Sequence, residues 1–156
     1  VADIGVLVLA RFEPDYEALI RQVGPKGSGD RLSGLCREKL GFDHAELAAE
    51  IFTAWKFPAP VVQAVRRHHD YAQFDDATAG VLSHAICFAC MITECVVTQS
   101  PHLCDRLIDV AERRLYIGQS ELPNLVRSCL AGYEELALPL GFGSLAGELP
   151  PALQSA

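Results

Sequence analysis

Four residues in this chain have side chains suited to metal chemistry: Asp3, His44, His68 and His69. Imidazole nitrogens and a carboxylate are the donors favoured by manganese, iron, nickel and zinc. Each of the four falls at a helix end or on an inward helix face in the pattern described below, so folded helices can converge them. Converged, they describe a metal site that activates water against a phosphate ester. A plainer reading competes. His44 opens a helix, and a histidine pair closing a helix suits the negative end of its dipole. Octahedral ions also take more donors than these four supply.

Two cysteine arrangements carry less. Cys87 and Cys90 are spaced as a ligand pair, with His102 and Cys104 as a second. A structural zinc site takes four soft ligands in two such pairs, but the first pair lies mid-helix among Phe88, Met91 and Ile92, where core packing is expected. His84 precedes Cys87 by three residues, which puts a base and a thiol on one helical face; a buried, inert thiol is the simpler expectation. The run Gly24-Pro25-Lys26-Gly27-Ser28-Gly29 resembles a phosphate loop only superficially. It lacks both the Gly-Lys-Ser/Thr ending and a preceding strand, and reads as a connector.

The elements that must position these residues are helical. The chain has 156 residues, enough for one domain with a real core. Apolar positions recur at helical spacing, divided by Gly and Pro. Helices are expected over about 3–12, 15–23 and 31–40, the last ended by Gly41. Asp43 and Glu46 make a capping box for a helix carrying Ala45, Ala48, Ile51, Phe52 and Trp55. Pro60 opens the next, with Val61, Val62 and Val65 inward and His68 and His69 at its close. Further helices are expected over 77–98 and 102–116, with a last one capped by Ser120. The fold class expected is all-α, a compact helical bundle of about seven helices. Residues 1–140 form the domain, and 141–156 are a Pro/Gly-containing tail expected to fray.

The formal net charge of −7 argues against nucleic acid and against anionic membrane surfaces, both of which call for a basic stripe. The apolar window from Val81 to Val97 is near the length of a membrane span, but it contains Ser83, His84, Thr93 and Glu94 and fits a core helix better. The six cysteines lie mainly in apolar helical runs. They are expected to be free and buried, in a reducing, cytoplasmic setting. The chain opens already inside an apolar run, so the N-terminal part of the domain is expected to lie upstream of Val1.

Taken together, Gly41-Phe42-Asp43-His44-Ala45-Glu46-Leu47, Trp55-Lys56-Phe57-Pro58 and Ala64-Val65-Arg66-Arg67-His68-His69 resemble the HDOD domain, the regulatory branch of the HD superfamily. Asp3-Ile4-Gly5 with Leu7-Val8-Leu9 resembles the segment after that superfamily's His-Asp dipeptide. The resemblance covers roughly residues 2 to 98. It implies an all-helical, HD-superfamily-like fold and a non-enzymatic module of bacterial signalling, with signalling proteins or fused signalling domains as partners and a homodimer as a reasonable assembly. Active HD members are metal-dependent phosphohydrolases, so a residual phosphohydrolase is the alternative. Nucleotide or small-molecule sensing in a degenerate pocket is a second. Residue by residue, Ala2 replaces the dipeptide histidine while Asp3 remains, and a first ligand histidine belongs upstream of Val1. The ligand aspartate of a later helix falls near Cys87, and no Asp occurs between Asp76 and Asp105. His44, His68 and His69 correspond to the additional histidines of two-metal members. The resemblance therefore implies no cofactor, or at most one weakly held divalent ion (Fe, Mn, Ni or Zn) at Asp3, His44, His68 and His69.

Overall fold

The structure, a computed structural model, describes residues 2–24, 28–76, 78–141 and 149–154. Among them it is all-α. There are nine α-helices, two short 3-10 helices and no strand. The helices are α1 Ile4–Phe12, α2 Tyr16–Val23, α3 Gly29–Leu40, α4 His44–Ala54, α5 Ala59–Arg66, α6 Val81–Thr98, α7 Pro101–Arg114, α8 Leu122–Ala137 and α9 Pro151–Gln154. The count exceeds the expected seven because short elements stand as separate helices, α9 among them. Residues 25–27 of the connector before α3 lie outside the described residues.

The chain divides into two units, residues 1–90 and 91–156, with the division inside α6. In the first unit α4 packs on α5 and α1, and α3 packs on α2 and α4. Among the described residues its core includes two patches. Ala48, Ala49, Phe52, Val62 and Val65 form one, with Ile4 and Val61 against it. Leu9, Tyr16, Leu19 and Cys36 form the other. The inward face of α1 is Gly5 and Leu9, four residues apart and therefore stacked one turn above the other. Gly5 allows the closest approach: a Cβ there would overlap the backbone carbonyl of His44.

Local signals explain the helix ends. Asp43 and Glu46 form the expected capping box, the Asp43 carboxylate accepting from the Glu46 N–H at 2.8 Å and the Glu46 carboxylate from the Asp43 N–H at 2.9 Å. Gly41 stops α3 in the left-handed region at φ 83°, where a Cβ would be strained. The Ser120 cap does not form. Glu121 occupies the N-cap position of α8 without a side-chain cap, and its carboxylate accepts from the Gly118 N–H at 3.1 Å instead.

In the second unit α9 packs on α7 and α8. Buried residues include Leu107, Val110 and Ala111 of α7, Leu122 and Val126 of α8, and Leu149 and Leu153. The stretch expected to fray thus contributes Leu149, Pro150 and Leu153 to the interior, because its apolar residues have helix faces to bury against. The helix α6 is long and apolar enough to cross a membrane by length and composition, and 44% of that span is buried within the fold.

The expectation of six free thiols is corrected. Cys95 and Cys104 are joined, with their Cα atoms 5.3 Å apart, while Cys36, Cys87, Cys90 and Cys129 remain thiols. The turn at Ser100-Pro101 folds α7 back beside the end of α6, which brings the two cysteines face to face. The compartment argument built on free thiols loses its basis. Closing a loop of this size removes roughly 2–3 kcal/mol of chain entropy from the unfolded state. Dithiothreitol should therefore lower the urea midpoint of the native protein by a corresponding amount, and should leave Cys95→Ser/Cys104→Ser unaffected.

Candidate metal centre

The fold brings the four predicted donors together. One donor atom from each of Asp3, His44, His68 and His69 lies within 4.8 Å of the others, and among the described residues no other such cluster of His, Cys, Asp or Glu forms. Asp3 sits in the N-cap position of α1 and His44 is the first residue of α4. The helix expected to end in His68 and His69 stops earlier, at Arg66. There the His68 N–H turns back to the Val65 carbonyl, and the Gln73 side chain donates to the Arg67 carbonyl at 2.7 Å. The two histidines thus lie in a turn, not on a helix, and this turn lets adjacent rings converge, with centroids 4.1 Å apart.

The convergence has a centre. Asp3 Oδ1 lies 3.3 Å from His68 Nε2, 3.6 Å from His44 Nε2 and 3.9 Å from His69 Nε2. Four donors held tetrahedrally by an ion with bonds of about 2.0–2.1 Å stand roughly 3.3–3.4 Å apart. His68 Nδ1 is committed, 2.6 Å from the Val65 carbonyl oxygen, to which it donates. A neutral His68 therefore turns its Nε2 lone pair toward the Asp3 carboxylate. Such an arrangement is repulsive unless a proton or a metal cation lies between the two, and a backbone carbonyl fixing the far nitrogen is how metal-ligating histidines are commonly oriented. His44 is 1% exposed, and neither of its ring nitrogens has a hydrogen-bond partner. A buried polar atom left so costs about 1–3 kcal/mol, and a cation at the cluster's centre would satisfy Nε2. The donor set fits one divalent transition metal ion. The Asp3 side chain is 60% exposed, so an ion can enter from solvent.

Charges follow from this packing. The hydrogen bond from His68 holds the Asp3 carboxyl down at about 2, with the other two imidazoles helping against burial. Burial pushes His69 down to about 3, and His68 and His44 add to it. Burial, then His68, also lowers His44. Burial opposes charge on His68 as well, but its bonds to Asp3 and Val65 prevail and raise it.

Two supports escaped sequence reasoning. The ring of His69 lies against Gly29, where a Cβ would overlap it. The buried Asp43 carboxylate, besides capping α4, pairs with Arg37 at 2.9 Å, tying α3 to the helix that begins with His44. The Asp43–Glu46 spacing carried a signal for the cap; nothing marked Gly29 as touching a histidine. Of the other candidates, Cys104 is consumed by its disulfide. His84 Nε2 bonds to the Gln73 carbonyl at 3.0 Å and its ring stacks on Phe74. The Cys87 thiol is buried and directed to the Asp70 carbonyl at 3.8 Å.

Gly29→Ala should force the His69 ring aside and reduce divalent-metal affinity, read by competition with a chromogenic chelator, at least tenfold. In chelator-treated protein, His69 and His44 are depressed below 6.5, so the unfolded chain takes up protons first. Stability should fall with pH from 6.5 toward about 3. Asp3 contributes to the loss only below its ordinary 3.8. His68, being raised, acts oppositely: its contribution is full below 6.5 and fades as pH rises through its folded value. Melting temperature should thus drop between pH 6.5 and 4, and His69→Ala should flatten that slope.

No curated protein and no solved structure matches the chain. Residues 1–71, which contain all four donors, match the family model of the HDOD domain. Over that stretch the chain is similar to the HDOD domain, which supports an HD-superfamily-related regulatory domain there.

Proposed function

We propose that this chain is a non-catalytic regulatory module of bacterial signalling in which Asp3, His44, His68 and His69 hold a single divalent transition metal ion. The observation that carries the reading is the approach of three Nε2 atoms to one carboxylate oxygen at 3.3, 3.6 and 3.9 Å. The ion would act as a cross-link. It would join the start of α1, the start of α4 and the turn after α5, three places distant in sequence, and so make the conformation of this unit depend on metal. A module of that kind transmits its state through surfaces to signalling partners or fused domains. Leu7, Phe12 and Trp55, large apolar side chains standing in solvent, are suited to such contacts.

Hydrolysis fits less well. A pair of ions that bridges and activates water needs more donors; the resemblance puts Ala2 where one ligand histidine would stand and the position of a ligand aspartate near Cys87, with no Asp between Asp76 and Asp105. A residual phosphohydrolase remains the second reading because the exposed Asp3 side leaves a bound ion reachable by substrate, and a bound ion can polarise a phosphoryl oxygen.

Elemental analysis of protein purified without chelator decides between these readings. The expected result is close to one iron, manganese, nickel or zinc per chain, lost in His68→Ala/His69→Ala, with a melting temperature that falls on chelation and no hydrolysis of phosphomonoesters, phosphodiesters or cyclic dinucleotides. Metal-dependent hydrolysis abolished by Asp3→Ala would transfer the assignment to the phosphohydrolase. Absence of metal in wild-type protein, before and after incubation with each ion, would overturn both.

A further inference from the structure

Beside the metal centre, the interior of the first unit holds two hydroxyls with nothing to bond to. Tyr16 Oη and Ser33 Oγ are buried without a hydrogen-bond partner, and their residues are 0% and 4% exposed. Native interiors leave few such atoms, and a buried water is the usual remedy where several stand together. Their positions are related to the cluster in the same way. Ser33 follows Gly29 by four residues on α3, so it lies one turn further along the face that meets the His69 ring. Tyr16 packs with Leu9 and Cys36. Leu9 lies one turn beyond Gly5, which abuts His44, and Cys36 follows Ser33 by three residues on α3. By helix spacing, both hydroxyls lie toward the faces of α1 and α3 that meet His44 and His69, and His44 itself shows unpartnered ring nitrogens.

We propose that Tyr16 and Ser33 hold a buried water molecule on the inner side of the Asp3–His44–His68–His69 cluster, where it serves as a fifth donor to the bound ion. The inference rests on the reading of that cluster as a metal site. Water suits the place better than an anion, since two carboxylates, Asp3 and the buried Asp43, lie close by. Burial first, then Cys36 and these two carboxylates, raises the Tyr16 hydroxyl above its ordinary value, which keeps it protonated and able to donate to the water's oxygen. Tyr16 and Ser33 are positioning residues: they touch the water, and the protein donors hold the ion.

Cobalt(II) chloride added to metal-free protein tests this, because the visible d–d bands of high-spin cobalt(II) are strong in four-coordinate sites and weak in five-coordinate ones. Wild-type protein should bind one cobalt with a weak, five-coordinate spectrum. Tyr16→Phe, which keeps the ring that packs on Leu9 and Cys36, should shift it toward the intense four-coordinate spectrum. Ser33→Ala, a smaller change on a different helix, should shift it in the same direction, with melting temperatures of both metal-free variants within a few degrees of wild type. A four-coordinate wild-type spectrum, or one that neither substitution alters, overturns the water ligand while leaving the metal site standing. Failure of the wild-type protein to bind cobalt overturns the metal site, and the water ligand with it.

Discussion

The first unit is organised around one electrostatic problem: three imidazoles buried from water meet one carboxylate that is open to it. His44 and His68 are 1% and 0% exposed, so solvent cannot screen them. His68 has given its Nδ1 hydrogen to a backbone carbonyl, so its remaining nitrogen faces Asp3 as a lone pair unless something positive intervenes. Protonating all three rings is not available: burial first, and then His68 and His44, push His69 down to about 3. One cation shared among four donors resolves the conflict. A proton on His68 does so for one pair; a divalent ion does so for all four.

The surrounding helices are arranged to hold that convergence. Gly5 lets α1 press against the backbone at His44, and Gly29 lets α3 reach the face of His69. Asp43 both caps α4 and takes the charge of Arg37. The residue that fixes where α4 begins is thereby also the one that fixes α3 against it. Arg67 plays the matching part on the other side, pairing with Asp70 and Asp76 at 3.0 and 2.9 Å across the turn that carries the two histidines. The pairs of Asp43 and Arg67 are thus placed at the ends of elements that carry the histidines.

How much of this could be read in advance differs by type of feature. The helices were legible because apolar period and cap chemistry are local: Asp43 with Glu46, Gly41 and Pro60 each act within a few residues. The four donors were legible as residue types at helix ends. Their meeting was not, since Asp3 and His68 are separated by 64 intervening positions and only tertiary packing joins them. The termination of α5 before His68 was hidden for a related reason. It depends on Gln73 reaching back six residues to the Arg67 carbonyl, a side-chain bond with no periodic signature. The Cys95–Cys104 link was in principle readable: two cysteines flank a Ser-Pro helix break at a spacing an αα-hairpin can close. Their apolar surroundings favoured the opposite reading. Burial is compatible with a free thiol and with a disulfide, so it could not discriminate between them.

The cluster also bears on what the resemblance to the HD superfamily implies. Where that resemblance calls for two further ligands, the chain has Ala2 in place of a histidine and no aspartate between Asp76 and Asp105. The remaining donors cannot be treated as inert remnants. An interior imidazole without a partner destabilises the fold, and His44 has two unpartnered nitrogens. If the site had no occupant, replacing His44 by an apolar residue of similar volume would be neutral or stabilising. An ion bound there as proposed would couple folding free energy to metal concentration. Because the donors come from α1, α4 and the turn after α5, that coupling would act on the packing of elements already joined in the core.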